Sequence, residues 1–448
     1  MRKPTLSSGK DNESVLQFVG SWRSGHALFE FVMWGGMLLV AGVLLWATLQ
    51  PSEEAEATQE EIAESNRIVM SDVDITIHDQ FMRPSAIIRG KEAHTFKNNQ
   101  DFIVTPVRAL LHRTDGQLLR VHAEKLWKRI SRHDERMDFT GHVEVFGQDQ
   151  RLLSDALSYH PNTHYLESES PIQMLTTGTV ILGDKLRSNV DIQTGSLDGN
   201  VSIISMGQTT DEFEEPLKLT GDESKFDLVR GSYRVTGHGK VDHQGMRIDA
   251  SFISYLREQG TVHCKGDVRA QHLDLVLTCQ NLVYDVNRRV GHATGDPEAI
   301  QVIVPRNPNE GESRHILRSQ ELEMDVAHSI LKGDVNVILV REVSFEGDWD
   351  IDFTIEADTM RYLYELERAN FNGEVDIHTS SLGANGERAI FYQRAARLYI
   401  IGDAHAWDID VSGNPSNHIY GEKIIHYLKT GKSMVLQGGV GLNEGDLR

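Results

Sequence analysis

A short pattern that recurs along the chain decides its fold. Five of its copies are FTGHVEV (residues 139–145), VTGHGKV (235–241), CKGDVRA (264–270), LKGDVNV (331–337) and FNGEVDI (371–377). Each copy has a glycine followed by one or two polar residues and an apolar position, within a run in which apolar and polar residues alternate. Alternation with a period of two is typical of strands that bury one face. The pattern therefore predicts paired β-strands, with the glycine in a recurring turn.

The copies return at intervals of 29 to 40 residues. A unit of that length holds two strands of about ten residues with a turn, which is too little to bury its own apolar face. We therefore expect about ten units stacked in an elongated all-β array. The reference glycines are Gly141, Gly199, Gly237, Gly266, Gly295, Gly333, Gly373, Gly402 and Gly438, and Ser170 stands midway between the first two.

A second motif accompanies the first one. A small residue is followed by polar residues and then by tyrosine or another large side chain, as in CQNLVY (279–284) and ADTMRY (357–362). We expect these tyrosines to be packing positions without chemistry of their own. The 20 histidines are scattered and form no HExxH pair, so we expect them in solvated strand or turn positions and predict no metal site.

Composition excludes several classes of function. The chain has 45 Lys and Arg against 66 Asp and Glu, a net charge of −21, which argues against a protein that neutralises nucleic-acid phosphates. KTGKS (429–433) carries the end of a phosphate-binding loop, but His426 stands where its first glycine belongs. We therefore expect no cofactor and no enzymatic activity. A β-helical polysaccharide hydrolase is the enzyme alternative, because paired carboxylates cannot be told from surface charge in the sequence.

The chain has two cysteines, Cys264 and Cys279, which allow at most one disulfide. They are symmetric about Gln271 and His272, so a two-residue hairpin turn at those positions would place them directly opposite each other. In an oxidising compartment such a hairpin would allow a cross-strand disulfide. The alternative is a pair of buried thiols without a bond.

An uncharged stretch near the N-terminus predicts a membrane anchor. FVMWGGMLLVAGVLLWATL (31–49) is long enough to cross a bilayer core, and we place the transmembrane helix at 27–50. Four basic residues precede it, and the next one is Arg67. The positive-inside rule therefore puts residues 1–26 in the cytoplasm and the remainder outside. A cleaved signal peptide is the alternative, because AEA follows at 55–57.

Two features divide the remainder of the chain. Residues 51–67 are rich in glutamate and predict a solvated acidic stalk. The polar stretch GQTTDEFEEP (207–216) separates two sets of units, so we place a border near residue 212 and predict β domains at 68–212 and 213–448.

These features together resemble the lipopolysaccharide-transport bridge proteins of the Gram-negative envelope. Residues 68–212, with SDVDITIHD (71–79) and DGQLLRVHAEKL (115–126), look like the inner-membrane LptC family. Residues 213–448, with their repeated tyrosine and glycine motifs, look like the periplasmic LptA family, also called OstA-like. The two families are separate chains, whereas this polypeptide joins both parts.

The resemblance implies a β-jellyroll, an OstA-like repeat array with a slit between two sheets that holds the acyl chains of lipopolysaccharide. It implies an inner-membrane, single-pass protein with a periplasmic bulk. The implied partners are lipopolysaccharide, the ABC transporter of the inner membrane, and a further LptA-like protein or the outer-membrane translocon at the C-terminal strand edge; no nucleic acid is expected. The alternatives are an envelope scaffold with a tightly filled interior and a carrier of a different amphiphilic lipid.

The candidate lipid-lining residues are apolar positions of the strand pattern. They form an alternating apolar bed, and burial of acyl surface on such a bed contributes about 25 cal/mol per Å². A one-residue change of register would turn them outward. The residues are Val143, Val145, Val268, Val335, Val337, Val375 and Ile377.

Overall fold

The computed structural model describes the chain from residue 67 onward. The predicted cytoplasmic tail, transmembrane helix and acidic stalk up to residue 66 lie outside it. In the part that is described, no helix combines the length and the apolarity needed to cross a membrane. The described ranges are 67–96, 101–113, 116–130, 135–206, 215–304, 311–345, 348–410, 413–436 and 440–442.

The described residues form antiparallel β-strands joined into one sheet of 29 strands. The prediction of an all-β fold is confirmed for this part of the chain. The strands are β1 (Arg67–His78), β2 (Pro84–Phe96), β3 (Phe102–His112), β4 (Leu118–Ala123), β5 (Lys125–Ile130), β6 (Glu135–Phe146), β7 (Gln150–His160), β8 (Tyr165–Ser168), β9 (Ile172–Thr176), β10 (Thr179–Gly183), β11 (Lys185–Asn189), β12 (Thr194–Ser205), β13 (Leu217–Asp227), β14 (Ser232–His243), β15 (Met246–Leu256), β16 (Thr261–His272), β17 (Leu275–Asp285), β18 (Val290–Thr294), β19 (Glu298–Ile303), β20 (Glu312–Arg318), β21 (Glu321–Asp325), β22 (Ile330–Phe345), β23 (Asp348–Leu363), β24 (Arg368–Thr379), β25 (Leu382–Tyr392), β26 (Arg397–Ile409), β27 (Pro415–Tyr427), β28 (Lys432–Leu436) and β29 (Val440–Leu442).

Six of the recurring glycines lie in a β-bulge in the middle of a strand, and the prediction of a turn is wrong for them; they are Gly141, Gly199, Gly237, Gly266, Gly373 and Gly402. In β24, Gly373 and Glu374 have φ of +76° and +31°, and the two residues stand opposite the single residue Glu387 of β25. Two residues against one bend the strand sharply. Glycine adopts the first of these conformations without steric cost. Similar register shifts occur in the pairs β6–β7, β12 to β17 and β22 to β27.

The bulge leaves no room for a side chain at the glycine. A Cβ atom on Gly373 would lie 2.8 Å from Cγ and 2.9 Å from Cβ of Asp358, and one on Gly141 would lie 2.8 Å from Cβ of Glu124. These acidic residues are the polar position of the tyrosine motif. The residue after glycine bonds to the corresponding acidic residue in three copies, with 2.7 Å from His142 Nδ1 to Glu124 Oε1 and similar contacts at Asn200 and His238. The two motifs therefore meet where the bulge bends the strand, which we name the corner.

The corners fold the sheet into two facing layers. Strand halves joined by four-residue turns such as 228–231 and 257–260 form what we name the long-turn layer. Halves joined by two-residue turns such as 244–245 and 273–274 form the short-turn layer. The layers touch face to face, because the rings of Phe353 in the short-turn layer and Phe391 in the long-turn layer have centroids 4.9 Å apart.

One apolar cluster fills the space between the layers. It extends through the described strands from Ile77 of β1 to Ile424 of β27. The strand pairing is also continuous where the sequence predicts a border: β12 and β13 pair from Thr194↔Asp227 to Ser205↔Leu217. Residue 212 itself lies outside the described residues, so the border near it stays a prediction.

Candidate functional site

Six of the seven candidate lining residues point between the layers. Each is at most 1% exposed, and all six follow a bulge into the short-turn layer. The motif explains this placement, because the apolar residue after the bulge begins the second half of the strand. The six are Val143, Val145, Val268, Val337, Val375 and Ile377.

Val335 does not share this face, and the placement of Val335 with the other six is wrong. Its side chain is 52% exposed. In β22 the bulge is not at Gly333 but at Val335 and Asn336, which have φ of +69° and +53°. The register shift runs from Asp334 to Val337, so the bulge is displaced by two residues from its position in the other motifs and Val335 is its first, outward residue.

The opposite wall of the interior was not predicted from the sequence. The residue two places before the glycine is inward in the long-turn layer, and Phe139, Val235 and Phe371 are each fully buried there. The signal was present as the first letter of each quoted motif. Alternation placed these residues on a buried face, but only the fold of the strand at the bulge turns that face toward the valines.

The interior is closed in this structure. The six inward candidates are at most 1% exposed, so almost none of their surface is accessible to water and they do not line an open slit. Acyl chains can reach these side chains only after the layers move apart or the side chains rearrange.

The free tips of the two layers are joined by a line of buried hydrogen bonds, which we name the seam. Tyrosines near the four-residue turns of the long-turn layer supply most of one side. Serines and histidines of the short-turn layer supply the other. The pairs are Ser85–Tyr159 at 2.9 Å, Ser205–Tyr255 at 3.3 Å, His243–Tyr284 at 2.9 Å, His272–Tyr364 at 2.6 Å, His315–Tyr362 at 3.0 Å and Ser313–Gln393 at 3.4 Å.

The seam follows from the folded strands. His243 ends β14, and Tyr284 lies near the far end of β17, yet their side chains bond. An extended strand of that length would hold its two ends roughly 35 Å apart. Opposite strand ends therefore meet because each strand is bent back at its bulge.

Burial determines the protonation states of the tyrosines and histidines in the seam. It raises the pKa of Tyr159 to about 12, and burial, helped by the nearby Arg341 guanidinium, lowers the pKa of His315 to about 3. Burial also lowers the pKa of His272. Loss of hydration disfavours the charged form in each case, so these seam groups are neutral at neutral pH.

Two expectations about side-chain roles are therefore corrected. The motif tyrosines Tyr159, Tyr284 and Tyr362 pack in the interior, but their hydroxyls also bond across the layers. Several histidines are buried rather than solvated: His243, His272, His315 and His426 are each at most 9% exposed. Among the described residues, no three His, Cys, Asp or Glu side chains are grouped so that they could hold a metal ion.

The cysteines are unpaired and buried, which is the alternative of two thiols without a bond. The hairpin turn is at 273–274, so Cys264 pairs with Leu282, and Cys279 pairs with Val268. The turn lies two residues later than predicted, and the bulge at Gly266 shifts the register again. Burial raises the pKa of Cys264 to about 12 and that of Cys279 to about 11, so both remain protonated thiols.

Comparison with known proteins relates the N-terminal part of the chain to lipopolysaccharide assembly. Residues 37–206 match the family model described as lipopolysaccharide-assembly, LptC-related. No curated protein matches the chain.

Among solved structures, the crystal structure of LptH from Pseudomonas aeruginosa, the LptA homologous periplasmic component of its lipopolysaccharide transport device, matches at 16% identity. The match covers 31% of this chain and 96% of that one, with a TM-score of 0.25. That score is too low to show a common fold. The family match therefore carries the relation: over residues 37–206, the chain is similar to LptC-related proteins of lipopolysaccharide assembly.

Proposed function

We propose that this chain is a non-catalytic component of a lipopolysaccharide bridge that holds acyl chains between its two layers and passes them along the array. One observation carries the proposal: a single apolar cluster continues through the described strands between two layers. The LptC-related match over 37–206 supports lipopolysaccharide as the cargo. Each acyl methylene that leaves water for such an interior contributes about 0.8 kcal/mol.

The proposal extends to the ends of the chain. The segment at 27–50 anchors the protein in the inner membrane beside an ABC transporter, and the acidic remainder lies in the periplasm. At the other end, β28 and β29 pair with β27, and Met434 is 47% exposed. A partner strand adds to this edge, as exposed strand edges allow. Deletion of residues 417–448 should abolish partner capture and leave membrane insertion intact; capture that persists would contradict the docking edge.

A scaffold function is the second candidate, and the filled interior favours it. A scaffold needs no slit, and the inward valines have at most 1% exposure. Loading with lipid distinguishes the two candidates, because a scaffold interior never contacts acyl chains.

Photo-crosslinking in living cells tests the proposed function. A small diazirine amino acid is placed at Val268 or Val375, which are buried, and at Val335, which is 52% exposed, as the matched control. Lipopolysaccharide adducts at the two inward sites and none at Val335 would support transport. Absence of adducts at both inward sites would refute it in favour of the scaffold. An adduct whose mass identifies another amphiphile would replace lipopolysaccharide as the cargo.

A further inference from the structure

We propose that acyl chains enter the interior sideways through the seam, which opens as a lateral entrance and closes again behind them. This inference rests on the proposed function, because it concerns how the same interior is loaded. Two routes lead to the buried valines: along the array from its ends, or between the tips of the layers. The contacts that close the two long sides of the interior decide between them.

The corner side is closed by the chain itself. Every long strand continues through its bulge from one layer into the other, and its neighbours pair with it on both sides of the corner. Opening there would require the loss of many backbone hydrogen bonds. That side is therefore a permanent wall.

The seam side is closed mainly by side chains. Backbone hydrogen bonds at the tips run along one layer, as from Arg257 N to Gly231 O and from Val286 N to Gly260 O. Contacts between the layers use side-chain atoms, such as Ser85 Oγ and Tyr159 Oη at 2.9 Å. Neutral side-chain hydrogen bonds add little net stability, so the seam is the side that opens more readily.

The chemistry of the seam fits an amphiphile that lies across it. Once the layers part, tyrosine hydroxyls and histidine rings form two polar rims along an apolar interior. An acyl chain between the layers places its polar head at these rims. Arginines lie beside them, with Arg257 directly following the tyrosine end of β15 and Arg289 reaching across the seam, and a guanidinium suits a phosphorylated head group.

The seam has a weak point between Ser205 and His243. A cavity of about 30 Å³ lies beside them and is lined also by Tyr255 and Arg257. It is large enough for a water molecule. The neighbouring bond from Ser205 to Tyr255 is long, at 3.3 Å. A covalent link at this position should therefore block the easiest place for opening.

A reversible cross-link tests the entrance. Ser205→Cys and Tyr255→Cys are combined in a background in which Cys264 and Cys279 are alanine, and they are joined by a bismaleimide with a reducible centre. The matched control joins Arg234→Cys and Ser254→Cys, a directly opposed pair within one layer. The readout is the lipopolysaccharide adduct of a diazirine residue at Val268 in the full chain.

The seam link should reduce the adduct at least tenfold, and reduction of the linker should restore it, while the control link changes nothing. An adduct of equal yield in the locked protein would overturn the lateral entrance and leave the proposed function intact. If the unlinked protein forms no adduct at all, the proposed function fails and the entrance fails with it.

A smaller change tests the entrance in the opposite direction. Tyr284→Phe removes the hydroxyl that bonds to His243 and should speed loading by about fivefold, the effect of one lost neutral hydrogen bond. Tyr392→Phe is the matched control, because the Tyr392 ring packs on Tyr399 on the outer face and should leave the rate unchanged. Unchanged loading in Tyr284→Phe would count against the seam as the gate.

Discussion

Alanine in place of Gly373 should destabilise its corner strongly, and the structure gives the magnitude. At φ +76° alanine costs about 1 to 2 kcal/mol from backbone sterics. Its Cβ would also lie 2.8 Å from Cγ and 2.9 Å from Cβ of Asp358, so the strands must shift, and such overpacking costs about 1 to 3 kcal/mol more. We expect a total of about 3 kcal/mol for Gly373→Ala.

Gly266→Ala is the matched control. Gly266 has the same φ of +76°, but its nearest neighbours, Cβ and Oγ of Ser251, are 3.3 Å from the added Cβ. Both alanine variants therefore have the same backbone cost, but the added methyl group makes a milder contact at position 266 than at position 373. The difference between the two variants isolates the clash with Asp358.

Native-state hydrogen exchange followed by mass spectrometry measures both variants. Peptides from β23 and β24 in Gly373→Ala should exchange roughly a hundredfold faster, because about 1.4 kcal/mol corresponds to a factor of ten. Peptides from β16 and β17 in Gly266→Ala should exchange only about tenfold faster. Peptides from β6 and β7 serve as the internal reference, because a stacked array confines the loss to neighbouring units. Equal losses in the two variants, or none, would refute the steric reasoning.

Three further outcomes are expected. Val337→Asp should destabilise β22 by at least about 3 kcal/mol, because it buries an unpaired charge. Val335→Asp, at a 52% exposed position, should have little effect. Hydrogen exchange of β22 compares the two variants, and similar losses of stability would contradict the displaced bulge. His315 has an ordinary pKa of 6.5 when unfolded and about 3 in the fold, so below pH 6.5 the unfolded state binds a proton that the folded state does not. The free energy of unfolding should then fall by about 1 kcal/mol between pH 6.5 and 5.5 beyond the fall in His315→Gln. Urea melts at the two pH values that show equal falls in both proteins would argue against a neutral buried histidine. Cys264 and Cys279 should react with iodoacetamide only in denaturant, and intact mass should be the same with and without reductant; a mass lower by two hydrogens without reductant would show the disulfide.

The repeated glycine pattern was sufficient to predict the all-β class and to nominate apolar positions, but it did not fix which face of the strands points inward. Period-two alternation reports which face is buried, and the position after the glycine marks where the second half of a strand begins. Val335 shows the limit of this reasoning. In β22 the bulge is at Val335 and Asn336 rather than at Gly333, although LKGDVNV has the glycine of the motif. The position of the bulge is set by pairing with the neighbouring strands, which the local sequence does not show.

The seam could not be predicted from short stretches of the sequence. Its partners are far apart in sequence: His272 bonds to a residue 92 positions away and His243 to one 41 positions away. Such pairs exist only after the strands bend and stack. A weak signal was present, since His243 and His272 are 29 residues apart, the length of a short unit, and each directly precedes a two-residue turn.

The bulged corners give the fold the mechanics of a lever. In β14 the half from Ser232 to Thr236 extends from the corner to the tip, a length of about 16 Å at roughly 3.3 Å per residue. Rotation of this arm by about 15° about the corner moves its tip by about 4 Å. That displacement exceeds the length of every bond in the seam, the longest of which is 3.4 Å. A small change of angle at a line of glycines is therefore amplified at the tips, while the backbone pairing within each layer stays in place.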